Sequence, residues 1–493
     1  MYDELKKLLK HGSVYSLGII LSKIVSFIMI PLYTNILRPD EYGTLELLNL
    51  SIDIISTVMG FGMLAAVMRF YFKYDDPKEK NKVISTALIG TASIMAVTTI
   101  MCLFAGRPLS QLIFHNNENA VYLRIMFITM FLGSIIEIPF AYLRILQKSV
   151  KFVTISLVRL VIQLGLNILF LVFLHMGVLG VLYSGLITSI LMCLYLVSTT
   201  SFATGIHFDK RLYFSMLVYG VPLIVSDISA FVLTFSDRFF LNYYTNLTDV
   251  GLYSLAYKFG MLISMLFVAP FYQIWGARMF DIYNRPDAKE VISKVLTYFL
   301  LVALTVNLAI SLLSKDALRI MSNQQYWDAY KLVPIISMAY VLNGIIYVIS
   351  VGILAQGKTK LNALAMLIAM AVNIGLNFLL IPHWYKAGAA YATLTSYSVR
   401  VAVIYYFAQM LFKTRYEWGK IFQMGGISIV LLLLSHFIVI SSVPLSIALN
   451  LTLLVSFPVF VYAIGIFNPK EKIIIKGLLR NPFKAKELLS SLE

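Results

Sequence analysis

Charged residues and cysteines are both scarce in this chain. Asp, Glu, Lys and Arg make up only 13% of the 493 residues, about half the share of a soluble domain, whereas 59% are hydrophobic. The two cysteines, Cys102 and Cys193, lie in apolar runs with neither paired-cysteine spacing nor metal-ligand neighbours. This composition excludes a soluble enzyme, a disordered protein and a disulfide scaffold, and it indicates a multi-spanning membrane protein.

Signatures of catalysis are missing as well. The chain has no H-E-x-x-H, no G-x-S-x-G and no phosphate-binding glycine loop, and its six histidines are scattered. The longest external connections, about 106–119 and 315–332, are too short to form a catalytic domain. We therefore expect a protein that is not an enzyme and that uses neither a cofactor nor a metal.

Fourteen apolar runs are long enough to cross a membrane. They are continuous rather than alternating, which favours helices over a β-barrel and predicts an all-α polytopic fold. The first run is too long for the core of a signal peptide, so we expect it to be retained as a span. The runs are 13–37, 44–68, 83–105, 120–143, 152–174, 178–202, 212–240, 250–275, 291–314, 333–355, 361–382, 387–411, 421–441 and 444–467.

The distribution of basic residues predicts the orientation. With the N-terminus inside, 27 of the 40 Lys and Arg fall in internal segments and 7 in external ones. Cytoplasmic loops collect Lys and Arg, so both termini are expected in the cytoplasm. The tail 468–493 is basic and amphipathic, and we expect it to lie on the inner leaflet.

Weak internal repeats suggest a duplication. Residues 163–167 (QLGLN) resemble 373–377 (NIGLN), and Gly12 and Gly43 correspond to Gly220 and Gly251, all at offsets of about 208–210 in this sequence. Each repeat holds six spans, so the two lobes would be related by a pseudo-two-fold axis along the membrane normal. The predicted domains are two six-helix lobes, 1–202 and 210–412, two additional spans in 413–467, and the tail 468–493.

Charged side chains inside the spans are the main candidates for function, because a charge at membrane depth is costly and usually faces a cavity or a partner. Four cations are expected to line a cationic substrate cavity, and three acids are expected to serve in ion coupling or as counter-charges. The cations are Lys23, Arg159, Arg238 and Lys258, and the acids are Asp53, Asp227 and Asp237.

Each of these residues also has a structural interpretation. Asp237 and Arg238 could form an interfacial ion pair, Arg159 could extend to the inner headgroups, and Asp53 could neutralise Lys23. Glu137 could pair with Arg144, and Arg400 could support helix packing. Pro31 and Pro222 lie in spans 1 and 7, which the duplication would make equivalent, and both are hinge candidates, although membrane helices often contain ordinary prolines.

Several short motifs resemble the polysaccharide biosynthesis family of O-antigen and exopolysaccharide flippases, which belongs to the multidrug/oligosaccharidyl-lipid/polysaccharide exporter superfamily. The motifs are 11–16 (HGSVYS), 30–35 (IPLYTN), 37–43 (LRPDEYG), 235–241 (FSDRFFL) and 251–258 (GLYSLAYK). The resemblance implies two six-helix lobes, often with two extra helices, and alternating access without ATP hydrolysis. It also implies that Lys23, Arg238 and Lys258 lie where relatives carry cations for a pyrophosphate.

The function expected from this resemblance is a flippase of the bacterial cytoplasmic membrane. It would move undecaprenyl-pyrophosphate-linked oligosaccharide outward for O-antigen, capsule or exopolysaccharide synthesis. The expected partners are this lipid-linked substrate, membrane lipid, an H+ or Na+ counter-ion and polysaccharide assembly proteins, with no nucleic acid. The alternatives are a lipid II flippase and a cation-coupled multidrug exporter of the same superfamily.

Overall fold

The computed structural model of the chain describes residues 27–60, 62–438, 440–467 and 472. Regular structure in this part is entirely helical, which confirms the all-α fold. Ten described helices are long and apolar enough to cross a membrane, or up to twelve when each of two bent pairs counts as one span. The number fourteen stays a prediction, since most of the first predicted span lies outside the described residues. The tail 468–493 also lies outside them, apart from residue 472.

The first ten helices cover residues 27–244. They are α1 (Phe27–Ile36), α2 (Pro39–Met59), α3 (Met63–Tyr71), α4 (Pro77–Phe104), α5 (Gly106–Phe114), α6 (Ala120–Ile145), α7 (Ser149–Ile168), α8 (Gly177–Thr204), α9 (Lys210–Phe235) and α10 (Asp237–Tyr244). A π-helical turn, Leu169–Phe173, extends α7. These bounds agree with the apolar runs to within a few residues for α6, α7 and α8.

Eight more helices follow. They are α11 (Leu247–Gly260), α12 (Ala269–Tyr283), α13 (Ala288–Met321), α14 (Val333–Ile349), α15 (Val351–Ala355), α16 (Thr359–Leu411), α17 (Trp418–Phe437) and α18 (Val443–Ala463). Within the 53 residues of α16, Tyr385 has a non-helical backbone with φ of 50°. This kink falls in the short gap between predicted spans 11 and 12, so the sequence located the break correctly.

The chain divides into two compact units. One contains the described residues up to 256 together with 318–332 and 363–399, and the other contains 257–317, 333–362 and the residues from 400 onward. The predicted lobes 1–202 and 210–412 stay a prediction, as does their two-fold relation.

In the first unit, α4 and α8 pack against α6 around a buried apolar core that includes Val67, Ile84 and Ile138. The helix α9 begins at an aspartate cap, in which the Asp209 carboxylate accepts hydrogen bonds from the backbone N–H groups of Arg211 and Leu212. The Leu212 hydrogen bond, followed by that from Lys82, lowers the pKa of Asp209. This cap fixes where the broken helix α9 starts.

The helices α2 and α11 cross with their backbones in contact, also within the first unit. A methyl group built on Gly43 would overlap the carbonyl oxygen of Leu247 and lie 3.0 Å from the Gly251 nitrogen. A methyl group on Gly251 would likewise overlap the carbonyl oxygen of Pro39. Gly43 and Gly251 are the pair that the predicted duplication makes equivalent.

In the second unit, polar contacts link helices that are otherwise apolar. The Ser337 hydroxyl donates to Asn307 Oδ1 at 2.6 Å between α14 and α13, and Trp275 Nε1 donates to the Tyr347 carbonyl at 3.0 Å. The helices α17 and α18 pack on one another. Buried polar groups of this kind need partners, which fixes the register between neighbouring helices.

Candidate functional site: charged groups at two helix breaks

Among the described residues, two membrane-length spans are bent by more than 40°, and both bends lie in the first unit. The segments Lys210–Pro222 and Asp227–Phe235 of α9 meet at 44°, at the place where Pro222 predicts a bend. The helices α2 and α3 meet at 42° around Gly62, which adopts the left-handed conformation with φ of 60°. The second break was missed because the apolar run 44–68 is continuous. The hinge roles of Pro31 and Pro222 stay predictions, and the chain preceding Phe27, needed to measure a bend at Pro31, lies outside the described residues.

The two breaks adjoin one another. A methyl group built on Gly62 would lie 2.6 Å from the carbonyl oxygen of Gly220, so the backbones are in direct contact. Beside them is a cavity of about 220 Å³ whose lining includes the carboxylates Glu137 and Asp227 and the hydroxyl of Thr91. This places Asp227, a predicted coupling residue, in an acidic cavity next to the bend of α9.

The predicted pairing of Glu137 with Arg144 is wrong. Glu137 makes no ion pair within the described chain, and the Arg144 guanidinium instead lies 5.9 Å from the ring of Phe152. The two residues are seven positions apart on α6, about two turns, so their side chains do not reach one another.

The adjacent residues Asp237 and Arg238 form a buried ion pair at the start of α10. Arg238 Nη1 lies 2.8 Å from Asp237 Oδ1 and donates to the Thr234 carbonyl at 2.7 Å. The two side chains are only 1% and 4% exposed. The guanidinium also lies 4.9 Å from the ring of Tyr253, a cation–π contact. Asp237 therefore neutralises Arg238 directly, which is the structural alternative named for this pair.

The second oxygen of Asp237 belongs to a polar network between helices. Asp237 Oδ2 accepts hydrogen bonds from the Tyr253 hydroxyl and, at 3.3 Å, from Thr393 Oγ1 of α16. Nearby on α16, Asn377 Nδ2 donates to Asn373 Oδ1 at 3.1 Å. In the sequence, these two asparagines indicate only the repeat, and their hydrogen bond was not predicted. Their spacing of four within an apolar run was the signal that they share a helix face.

The remaining predicted cations have different surroundings. Arg159 is half-buried on α7 and has no ion-pair partner in the described part of the chain. Lys258 is half-buried near the end of α11. Lys23 lies outside the described residues, so its predicted neutralisation by Asp53 is untested, while Asp53 is exposed on α2. The structure thus brings Asp237 and Arg238 together and leaves Arg159 without an acid.

Two further buried acids were missed. Asp249 pairs with Lys386 at 2.7 Å, linking α11 to the kink of α16. Asp316, which is 1% exposed, accepts hydrogen bonds at 2.9 and 3.0 Å from Ser446 Oγ and Asn450 Nδ2 of α18. Both acids lie near helix ends and were assigned to external loops. Only the contact with another helix makes them buried.

Aromatic side chains surround an apolar cavity of about 630 Å³ in the first unit. Phe240, Tyr243 and Tyr244 of α10 face Phe378 of α16, and the ring centroids of Phe240 and Phe378 are 4.7 Å apart. The lining continues with apolar residues of α2 and α5. Because α10 also begins with Asp237 and Arg238, a single short helix carries both the buried ion pair and the aromatic wall.

Bent apolar helices with charged groups at their breaks are typical of a polytopic membrane transport protein. The chain belongs to the polysaccharide biosynthesis protein family, whose match covers residues 8–275. This agrees with the resemblance carried by the short sequence motifs.

Two curated bacterial relatives match parts of the chain. The Lsg locus putative protein 1 of Haemophilus influenzae is 23% identical over 260 residues, which are 52% of this chain and 63% of the relative. A putative O-antigen transporter of Shigella flexneri is 24% identical over 230 residues, or 46% of this chain and 53% of the relative. The matches thus span less than two thirds of either relative.

Solved structures share the fold. The lipid II flippase MurJ in an inward closed conformation superposes with a TM-score of 0.71 at 16% identity, covering 92% of this chain and 99% of that one. An inward-facing multidrug resistance MATE transporter of the MOP superfamily gives 0.63 at 16% identity, covering 80% and 97%. At 16% identity these two structures show the fold that this chain shares with them.

Replacing Pro222 with alanine is expected to lower transport several-fold at an unchanged protein level. Alanine restores the backbone N–H and removes the ring, so α9 loses the cause of its break. Pro222→Gly keeps the break flexible and is expected to retain export. The matched control is Pro139→Ala in α6, a membrane helix without such a break. Normal export by Pro222→Ala would remove the hinge role.

Proposed function

We propose that this chain is a flippase that moves undecaprenyl-pyrophosphate-linked oligosaccharide from the inner to the outer leaflet of the bacterial cytoplasmic membrane. The observation that carries the proposal is a set of cations within apolar helices, of which Arg159 has no acidic partner in the described chain. Family membership and the names of the relatives support the substrate class.

Electrostatics explains why such cations suit this substrate. A pyrophosphate carries about two negative charges, and moving them through a medium of low dielectric is costly unless fixed positive charges offset the lost hydration. Lysine binds phosphate as a point charge, and arginine adds a two-pronged contact. Lys258, Arg159 and Lys23 would each offset part of the pyrophosphate charge. Arg238 would contribute less, because it is paired with Asp237.

Aromatic rings supply the second requirement, which is a surface for sugars. The cavity beside α10 presents the rings of Tyr243, Tyr244 and Phe378. Sugar rings have apolar faces that pack on aromatic side chains, and tyrosine adds a hydrogen-bonding hydroxyl. The oligosaccharide would thus find a surface for its sugar rings on α10, the helix that also carries Arg238.

Alternating access driven by a cation gradient is the mechanism that we propose. The acidic cavity at the two helix breaks contains Asp227 and Glu137, and a bound H+ or Na+ there would offset their repulsion and favour one bend angle of α9. Polysaccharide assembly proteins would receive the exported product. The Lys and Arg distribution supports a cytoplasmic location for both termini.

A cation-coupled multidrug exporter is the second candidate, because Asp53 and Asp227 are exposed and could attract cationic drugs. A lipid II flippase is a nearer alternative, since its substrate shares the pyrophosphate. Cells that lack this chain are expected to accumulate lipid-linked glycan on the inner leaflet if the first proposal is correct. Accumulation of lipid II, or drug sensitivity with normal glycan export, would favour the alternatives.

Arg159→Ala and Lys258→Ala are each expected to lower export at least about tenfold in such cells, because each loses a charge-assisted contact to phosphate. The matched controls are Arg285→Ala and Lys331→Ala, which remove exposed cations paired with neighbouring aspartates. Export is measured as surface glycan, normalised to protein level. Normal export by both Arg159→Ala and Lys258→Ala would contradict the cationic mechanism.

A further inference from the structure

A second polar cavity lies in the other unit, between the start of α13 and the loop that precedes α17. Its volume is about 660 Å³. Four cations line it, Lys289, Lys294, Lys413 and Arg415, against two carboxylates, Glu290 and Glu417. None of these residues belongs to the proposed transport route, so their concentration at one cavity needs a separate explanation.

Both carboxylates are already engaged. Glu290 Oε1 lies 2.9 Å from Lys294 Nζ. Glu417 Oε1 accepts from Lys420 Nζ and Oε2 accepts from Thr297 Oγ1, both at 2.7 Å. Partial burial raises the pKa of Glu417, but these hydrogen bonds outweigh burial and hold it below its usual value. Lys289, Lys413 and Arg415 therefore have no carboxylate partner among the described residues.

The loop that carries two of these cations is held in one conformation. The Gln409 side chain accepts a hydrogen bond from the Thr414 N–H at 3.0 Å and donates to the Thr414 carbonyl at 2.8 Å. Thr414 is buried, so Lys413 and Arg415 flank a fixed point in the chain. Lys289 Nζ lies 5.3 Å from the ring of Phe412, which holds the third cation beside the same loop.

The cavity also contains a buried hydroxyl that is available to donate a hydrogen bond to a ligand. Ser293 lines the cavity and is 5% exposed, and its Oγ has no hydrogen-bond partner in the described chain. A buried polar atom without a partner is costly, and a hydroxyl donates readily to an oxyanion. The cations and this hydroxyl together form a site for an anion.

Aromatic residues mark the level of the cavity in the membrane. Tyr416 packs against Tyr405 and Trp418, with ring centroids 6.1 and 6.0 Å away, where α17 begins. Tyr and Trp concentrate at the headgroup level of membranes. The Lys and Arg distribution assigns the segment 413–420 to the cytoplasmic side, where the leaflet is rich in anionic lipid.

We propose that this cavity binds the phosphate headgroup of an anionic phospholipid of the inner leaflet. Basic pockets between membrane helices on the cytoplasmic side are suited to such headgroups. Lys413, Arg415 and Lys289 contact the phosphate, and the Ser293 hydroxyl donates to one of its oxygens. The assignment is independent of the glycan that the protein moves.

The test measures lipid binding by the purified full chain in a neutral detergent. Short-chain phosphatidylglycerol is expected to raise the thermal unfolding midpoint and to appear as a bound adduct in native mass spectra, whereas phosphatidylcholine is not. The variant Lys413→Gln/Arg415→Gln is expected to bind phosphatidylglycerol at least about tenfold more weakly.

The matched control is Lys210→Gln/Arg211→Gln, which removes the same two residue types from another exposed segment on the predicted cytoplasmic side. It is expected to bind like the wild type. Equal weakening in this control, unchanged binding by Lys413→Gln/Arg415→Gln, or equal binding of phosphatidylcholine would overturn the site. An equal shift of the unfolding midpoint by glycerol phosphate at the same concentration would assign the site to free phosphate instead of lipid. If the double variant fails to fold, Lys289→Gln alone is compared with Lys210→Gln.

Discussion

Replacing Asp237 with alanine is expected to destabilise the protein by about 3–5 kcal/mol, because it leaves the Arg238 guanidinium buried without its counter-charge. The loss also removes the acceptor for Tyr253 and Thr393. The measurement is the unfolding midpoint and the amount of folded protein in membranes. Asp237→Asn keeps the shape and one acceptor oxygen, and should retain part of the hydrogen bonding without the charge.

Two comparisons make this result specific. Asp287→Ala breaks an exposed pair with Arg285 and should cost little, since surface ion pairs are screened by water. Replacing both buried partners, as in Asp237→Leu/Arg238→Met, should recover much of the stability, because no isolated charge is left. If Asp237→Ala costs no more than Asp287→Ala, the buried pair has no structural importance.

The double replacement also separates structure from transport. A stable Asp237→Leu/Arg238→Met variant with normal transport would assign the pair to folding and leave the proposed substrate binding to Lys23, Arg159 and Lys258. A stable variant that fails to export would mean that the Arg238 charge, or a proton on Asp237, takes part in the cycle. The test therefore resolves which of the two interpretations of this pair applies.

Much of the fold follows from hydropathy alone. A membrane helix must satisfy its backbone internally and present apolar side chains to lipid, so spans such as α6 and α8 are visible in the sequence to within a few residues. The bend at Pro222 was also predictable, because proline removes an N–H donor and clashes with the preceding turn. Local chemistry determines both features.

Features that depend on which helices meet could not be predicted. Asp316 follows a long apolar run and resembles a loop residue, yet Ser446 and Asn450, more than 100 positions away, bury it. The break at Gly62 contains no proline, so the sequence does not indicate it. In the structure, the backbone of Gly62 contacts that of Gly220. In each case the partner lies on another helix, and hydropathy does not identify neighbours.

Replacing Gly43 with alanine is expected to cost about 1–3 kcal/mol or more and to lower export in proportion to the lost folded protein. The added methyl would overlap the carbonyl oxygen of Leu247, which belongs to the backbone and cannot rotate away. The helices α2 and α11 would have to separate. Gly251→Ala should behave alike, since its methyl would overlap the Pro39 carbonyl oxygen at the same crossing. The measurement is again the unfolding midpoint.

The matched control is Gly133→Ala in α6, where nothing lies within 4 Å of the added methyl. This change should be neutral or slightly stabilising, because alanine favours a helix over glycine. Gly43→Ala and Gly251→Ala open one and the same crossing, so the double variant should lose less stability than the sum of the two single losses. Full additivity would mean that the two glycines act at separate contacts, and the close crossing of α2 and α11 would then be wrong. Loss below the sum would support a single backbone contact between the two positions that the predicted duplication makes equivalent.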